Sequence, residues 1–184
     1  MRSELNRVLG FEGLELKSNG LIQKASKVNT LSEAAERATS LRQNLLARRV
    51  HPDGLYFCRQ ELLVDNYFHA VFEATKSVAE KIRNKTGLTL DGSALVDEAF
   101  SFKNKVPHLA LNKLETESEQ SEQRGFTHLL KGVFGTFRNT VAHAPKVVWR
   151  IEEQDALDML STVSLIHRRL DKAVEAQKLY LGRS

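Results

Sequence analysis

The 184-residue chain is poor in the residues that cross-link or interrupt a fold: one cysteine, three prolines, ten glycines and one tryptophan. A lone Cys58 cannot close an internal disulfide, and no Cys/His set has zinc-site spacing. It is expected to be a small buried hydrophobe. So few prolines and glycines exclude fibrous and low-complexity classes. No apolar run approaches the roughly 20 residues that a membrane helix needs. The start, MRSELNRVLG, lacks an apolar signal core. We therefore expect a cytoplasmic protein with no membrane partner, no metal and no cofactor. The alternation typical of exposed strands is also nearly absent.

What is present is charge and helical periodicity. The chain is 41% apolar and 27% charged, with a net charge of +4 and a pI near 9.2. One domain with a short appendage fits this length, and the basic balance fits a nucleic-acid partner without requiring one. Thr30 and Glu33 have capping-box spacing, followed by Ala34, Ala38, Leu41 and Leu45 on one helical face to about Arg49. HPDG, residues 51–54, breaks that helix. A helical stretch then reaches Gly87, a natural stop, with a bend expected near residues 64–66. Asp91–Gly92 makes a turn into a short helix opened by Ser93. An acidic start from residue 116 suits the positive end of a helix dipole, and Phe126, Leu129, Leu130, Val133, Phe134 and Phe137 form the apolar stripe that follows. Gly132 and Gly135 weaken this helix; they indicate either local looseness or close backbone approach. After Pro145, VVW at 147–149 reads as extended. A last helix spans about Glu153 to Leu179, with Leu160, Val163, His167, Leu170 and Val174 near one face. The expected fold is all-α, an antiparallel helical bundle. Residues 1–50 are expected to form an N-terminal helical arm or cap, and residues 51–184 the main helical domain.

The stretch FRNTVAHAP, residues 137–145, carries the chemistry. Arg138 and His143 are five residues apart, so on a regular helix they differ by about 140°. They converge only if the helix ends or bends between them, and Pro145 supplies an end. Metal-free RNA cleavage needs a group to take the 2′-hydroxyl proton, one to protonate the 5′-oxygen, and a cation beside the phosphorane. Histidine serves the first two roles and arginine the third; Asn139 orients the histidine or binds phosphate. A two-fold axis would bring two copies of each residue into one cleft. On spacing alone, the same pattern also describes an ordinary helix end with a histidine favouring the dipole.

At this motif the chain resembles the HEPN-superfamily ribonucleases, whose signature is R-x(4–6)-H with a polar residue directly after the arginine. RNTVAH, residues 138–143, matches it. The wider sequence resembles the Ymh-type, abortive-infection-associated HEPN proteins through HPDGLYFCRQELLVDNYFHAVFEATKSVAEKIRNKTGLTLDG, LALNKLETESEQSEQRGFTHLLKGVFGTFRNTVAHAP and EEQDALDMLSTVSLIHRRLDKA. The resemblance implies a HEPN-like bundle that dimerises through the motif. It also implies a metal-independent endoribonuclease leaving 2′,3′-cyclic phosphate and 5′-hydroxyl ends, in phage defence or a toxin–antitoxin pair. Arg138 and His143 carry over as catalytic and Asn139 as their polar support. RNA and a second copy are the expected partners, with a companion antitoxin or sensor. Thr140 and Val141 replace the proline and basic residue usual there, and Pro145 replaces a tyrosine that a nucleotidyltransferase modifies in a separate group.

Four further residues are candidates for RNA contact: Glu73 and Lys76 on the long helix, Lys131, and Lys146. The plain reading of Glu73–Lys76 is a solvated ion pair. His51 and His108 are expected to make turn hydrogen bonds. His69, His128 and His167 read as half-buried helix residues. His167–Arg169 with Lys172 could follow RNA phosphates, and Trp149 and Tyr56 could stack on bases, though core packing is the usual role of both. Two other functions fit the sequence: a non-catalytic HEPN-like module binding RNA, nucleotide or a protein, and an immunity-like protein that holds a toxin.

Overall fold

In the computed structural model, residues 5–6, 9, 14–24, 27–59, 67–102, 106–139 and 151–176 are described. Among them the chain is mainly helical: α1 (Lys27–Ala47), α2 (Pro52–Leu55), α3 (Phe68–Thr86), α4 (Gly92–Phe100), α5 (Glu117–Phe134) and α6 (Glu153–Lys172). A π-helical turn, Gly135–Asn139, continues α5. The strands are two or three residues long. β1 (Leu14–Leu16) pairs antiparallel with β2 (Ile22–Lys24), and β3 (Leu109–Ala110) with β4 (Val174–Glu175).

α6 is the organising helix, packing against α1, α2 and α3. Leu160, Val163, Ile166 and Leu170 recur at three- and four-residue steps and are fully buried. Each such burial contributes about 1.5–3 kcal/mol. α3 offers Ala70, Val71, Ala74, Val78 and Ile82 in the same manner. It also packs against α4 and the π turn. Leu41 and Leu45 of α1 belong to this same core. One carboxylate fastens the layers together: Glu153 accepts from Ser40 Oγ at 2.7 Å, Asn44 Nδ2 at 3.1 Å and Tyr67 Oη at 3.1 Å. Burial and the Glu153 charge push the Tyr67 phenol up to about 12.

The helix ends follow from local chemistry. α3 stops at Gly87, which adopts φ 73° and donates to Arg83 O, a left-handed cap that costs glycine little. α5 opens with a full capping box: Thr116 Oγ1 accepts from Glu119 N, and Glu119 Oε2 accepts from Thr116 N. Thr116→Ala is expected to lower stability by about 1 kcal/mol in urea unfolding; no change would mean that water caps the helix equally well. Cys58 is buried as expected, and desolvation pushes its thiol up to about 11.

Several expectations are corrected. α1 begins at Lys27, so Thr30 lies within the helix rather than at its start. Residues 14–24 contain a β-hairpin within the stretch expected to be a helical arm. Asp91, not Ser93, caps α4, its carboxylate accepting from Gly92 N. The final helix ends at Lys172 and gives way to β4, so Val174 is an exposed strand residue. An added Cβ at Gly132 or Gly135 would meet nothing within 4 Å, so neither glycine marks a close approach within the described chain. Residues 64–66 and 147–149 lie outside the described residues.

Candidate functional site

The Arg138–His143 motif begins on the π turn at the end of α5. The backbones of Arg138 and Asn139 are described as part of that turn; their side chains, and all of His143 and Lys146, lie outside the described residues. A π turn uses i→i+5 hydrogen bonds and is enriched at functional positions. Here it changes the helical phase at Arg138 and Asn139. Phe137 packs against the core and so anchors the turn. α3, which lies against the turn, carries Glu73 and Lys76. Lys76 Nζ donates to both Glu73 oxygens at 3.0 Å, and both side chains reach solvent. Lys131 is committed elsewhere, donating to both Asp97 oxygens at 3.0 Å across α5 and α4. That ion pair ties α5 to α4 at a partly exposed position.

A second polar site emerges where the 51–53 turn meets α3 and α6. His51 caps α2, its Nδ1 accepting from Asp53 N at 3.1 Å, while its Nε2 lies 2.7 Å from Asp171 Oδ2. His167, from the middle of α6, is fully buried, with Nε2 3.0 Å from Ser77 Oγ and Nδ1 3.2 Å from Asp53 Oδ2. The two imidazoles lie 5.3 Å apart, centre to centre. Lys81 reaches Asp53 Oδ2 at 3.0 Å and also contacts Asp171 Oδ1. Beside this cluster opens a cleft of about 480 Å³, bordered by Tyr56, Phe57, Ser77, Glu80, Lys81 and Asn84.

The electrostatics favour ionised acids and a neutral His167. Burial opposes charge on Asp53, but the Lys81 hydrogen bond and the nearby cationic groups outweigh it and hold the carboxyl below its usual range. Lys81 hydrogen bonding lowers Asp171 as well. Lys81 is itself raised: burial disfavours its charge, and Asp171 and Asp53 more than compensate. Desolvation pushes His167 down to about 4. The unfolded chain thus binds a proton near pH 6.5 that the folded chain refuses until about pH 4. Stability is expected to fall through that window on acidification, by on the order of 3 kcal/mol. Urea midpoints between pH 7 and pH 4 in EDTA measure this; an unchanged slope in His167→Asn would assign it to other groups.

Sequence reasoning missed this cluster because its members come from distant segments. The available signals were a histidine on the apolar stripe of α6 and an aspartate two residues after His51. His51 does make the expected turn hydrogen bond, and His69 is half-buried as expected. His167 is fully rather than half buried, and His128 is exposed. Tyr56 is 58% exposed, not core, with the Arg59 guanidinium 3.6 Å over its ring. Arg168 donates to Ser164 and Arg169 pairs with Glu122, as on an ordinary solvated helix face.

No curated protein and no solved structure matches the chain. A protein-family profile, described as Protein of unknown function (Hypoth_ymh), matches residues 48–170. That segment runs from just before the His51 turn to Leu170, holding α2 to α5 and nearly all of α6. With well over half its length matched, the chain belongs to the Hypoth_Ymh family.

Proposed function

We propose that this protein is a metal-independent endoribonuclease of the HEPN type, acting as a homodimer in antiphage defence or as the toxin of a toxin–antitoxin pair. The observation that carries the reading is the π turn Gly135–Asn139, which breaks helical phase at Arg138 and Asn139. A regular helix would hold Arg138 and a histidine five residues on about 140° apart; a phase break at this position favours their convergence. In this reading His143 transfers protons, Arg138 stabilises the phosphorane and Asn139 positions them. Glu73 and Lys76, on the helix against the turn, supply a polar flank. Lys146 is a further phosphate contact. The net charge of +4 draws RNA by a salt-sensitive attraction.

The test is incubation of end-labelled tRNA and a structured RNA with the full chain in EDTA. Cleavage is expected, with 2′,3′-cyclic phosphate and 5′-hydroxyl ends and a specific activity that rises as the protein dimerises. Inertness across salt and protein concentrations would favour a non-catalytic binding module instead.

A further inference from the structure

We propose that His51, Asp53 and His167 form a binding site for a divalent transition metal of the zinc class, separate from the Arg138–His143 motif. One nitrogen of each histidine and one oxygen of Asp53 lie within 4.8 Å of one another. Ligands 2.0–2.2 Å from a tetrahedral zinc stand about 3.4 Å apart. His167 Nδ1 and His51 Nδ1 lie 3.2 and 3.7 Å from Asp53 Oδ2, so the carboxylate already stands at coordination distance from both imidazoles.

The protons decide between a cation site and an ordinary hydrogen-bonded cluster. Ser77 Oγ lies 2.7 Å from Ala74 O and 3.0 Å from His167 Nε2, and its one proton can serve only one of them. When it serves Ala74, Oγ accepts from His167 Nε2–H and Nδ1 keeps its lone pair. Nδ1 is buried and has no hydrogen-bond partner among the described residues, although it faces a carboxylate oxygen. In that tautomer the buried Nδ1 lone pair and the partly exposed Asp53 oxygen face each other, and a cation between them satisfies both. His51 has the same polarity: Nδ1 accepts from the Asp53 amide, so Nε2–H donates to Asp171. An ion takes over the Nδ1 lone pair and leaves that amide to water. Each imidazole thus presents Nδ1 toward Asp53 and has its far N–H held by an oxygen, the outer arrangement that orients histidine ligands.

This tautomer is not that of a Ser77–His167–Asp53 nucleophilic triad, in which the serine proton would go to Nε2. Three protein ligands leave a fourth position, and the cleft bordered by Tyr56, Phe57 and Asn84 is where a water or an anionic ligand would reach it. Lys81 competes for the ion, because its ammonium rests on Asp53 Oδ2. It can retreat onto Asp171, which it also contacts.

The test is titration of the chelator-treated full chain with cobalt(II), reading visible d–d absorption, and with zinc, reading the shift in thermal midpoint. Wild type is expected to show tetrahedral-type cobalt bands and a zinc-dependent rise in midpoint. Asp53→Asn, at a partly exposed position, should bind more than about 100-fold more weakly, and Asp171→Asn about 10–100-fold more weakly, as outer-shell partners do. Lys81→Met should bind about tenfold more tightly once the competing charge is gone. Absence of cobalt bands in wild type overturns the proposal, as does binding unchanged in folded Asp53→Asn, which would place the ion elsewhere. RNA cleavage in EDTA is read separately, so either reading can fail without the other.

Discussion

His143→Ala is expected to slow RNA cleavage by a factor of about 10²–10⁴, the usual contribution of a positioned general acid–base group. The loss should fall on kcat more than on KM, because the imidazole acts on protons in flight rather than on the ground-state complex. Arg138→Ala is expected to cost about 10²–10³, as does removal of one donor to a developing oxyanion. Arg138→Lys should recover only part of this, since a point charge does not reproduce the guanidinium fork. The alanine variants should keep the helical content and thermal midpoint of wild type, and a loss of either would mark a folding defect rather than a chemical one. Measured by single-turnover cleavage in EDTA, equal rates for wild type and His143→Ala would remove the histidine from the mechanism.

Gln123→Ala is expected to be the most damaging single truncation of a polar side chain in the bundle. Gln123 is fully buried in α5. Its Nε2 donates to Phe100 O at 3.1 Å and Leu109 O at 2.7 Å, and its Oε1 accepts from Leu111 N at 3.1 Å. One amide thus satisfies three backbone groups, from the end of α4, from β3 and from the residue after β3. Removing it strands all three, at about 1–3 kcal/mol each. A loss of about 3 kcal/mol or more follows, or roughly 6–12 °C in thermal midpoint for a chain of this length. Gln123→Glu keeps the shape but turns two donor positions into acceptors facing carbonyls. It should be at least as harmful at neutral pH and partly relieved in acid, where the carboxyl regains a proton. Equilibrium urea unfolding settles the matter; a loss under about 1 kcal/mol for the alanine variant would mean that water replaces the amide.

The helices were legible wherever the sequence carries a long apolar period with chemical punctuation. Gly87 ends α3, proline and glycine at 52–54 break the chain after α1, and acids open α5 and α6. The signals that misled are short ones. A Thr-x-x-Glu pattern suits a helix interior as well as a start, so Thr30–Glu33 could not locate the first residue of α1. Strands of two or three residues are too short for alternation to register, and β4 follows α6 with apolar spacing that continues the helical pattern. The Arg138–His143 motif is a local pattern and can be read from sequence, whereas the π turn beneath it depends on packing against α3. The His51–Asp53–His167 cluster depends on tertiary contact throughout: α6 must lie on α2 and α3 before its members meet.

The knot around Glu153 also bears on when the molecule can fold during synthesis. Ser40 and Asn44 wait for a partner more than 100 residues downstream, and His51 waits 120 residues for Asp171. At about 5–20 residues per second, the apolar face of α1 stays uncovered for roughly 6–20 s after it is made. Pairing of α1 with α6 is therefore a late, long-range closure. Until it happens, Leu41 and Leu45 are available to chaperones, or to the same face of another nascent chain.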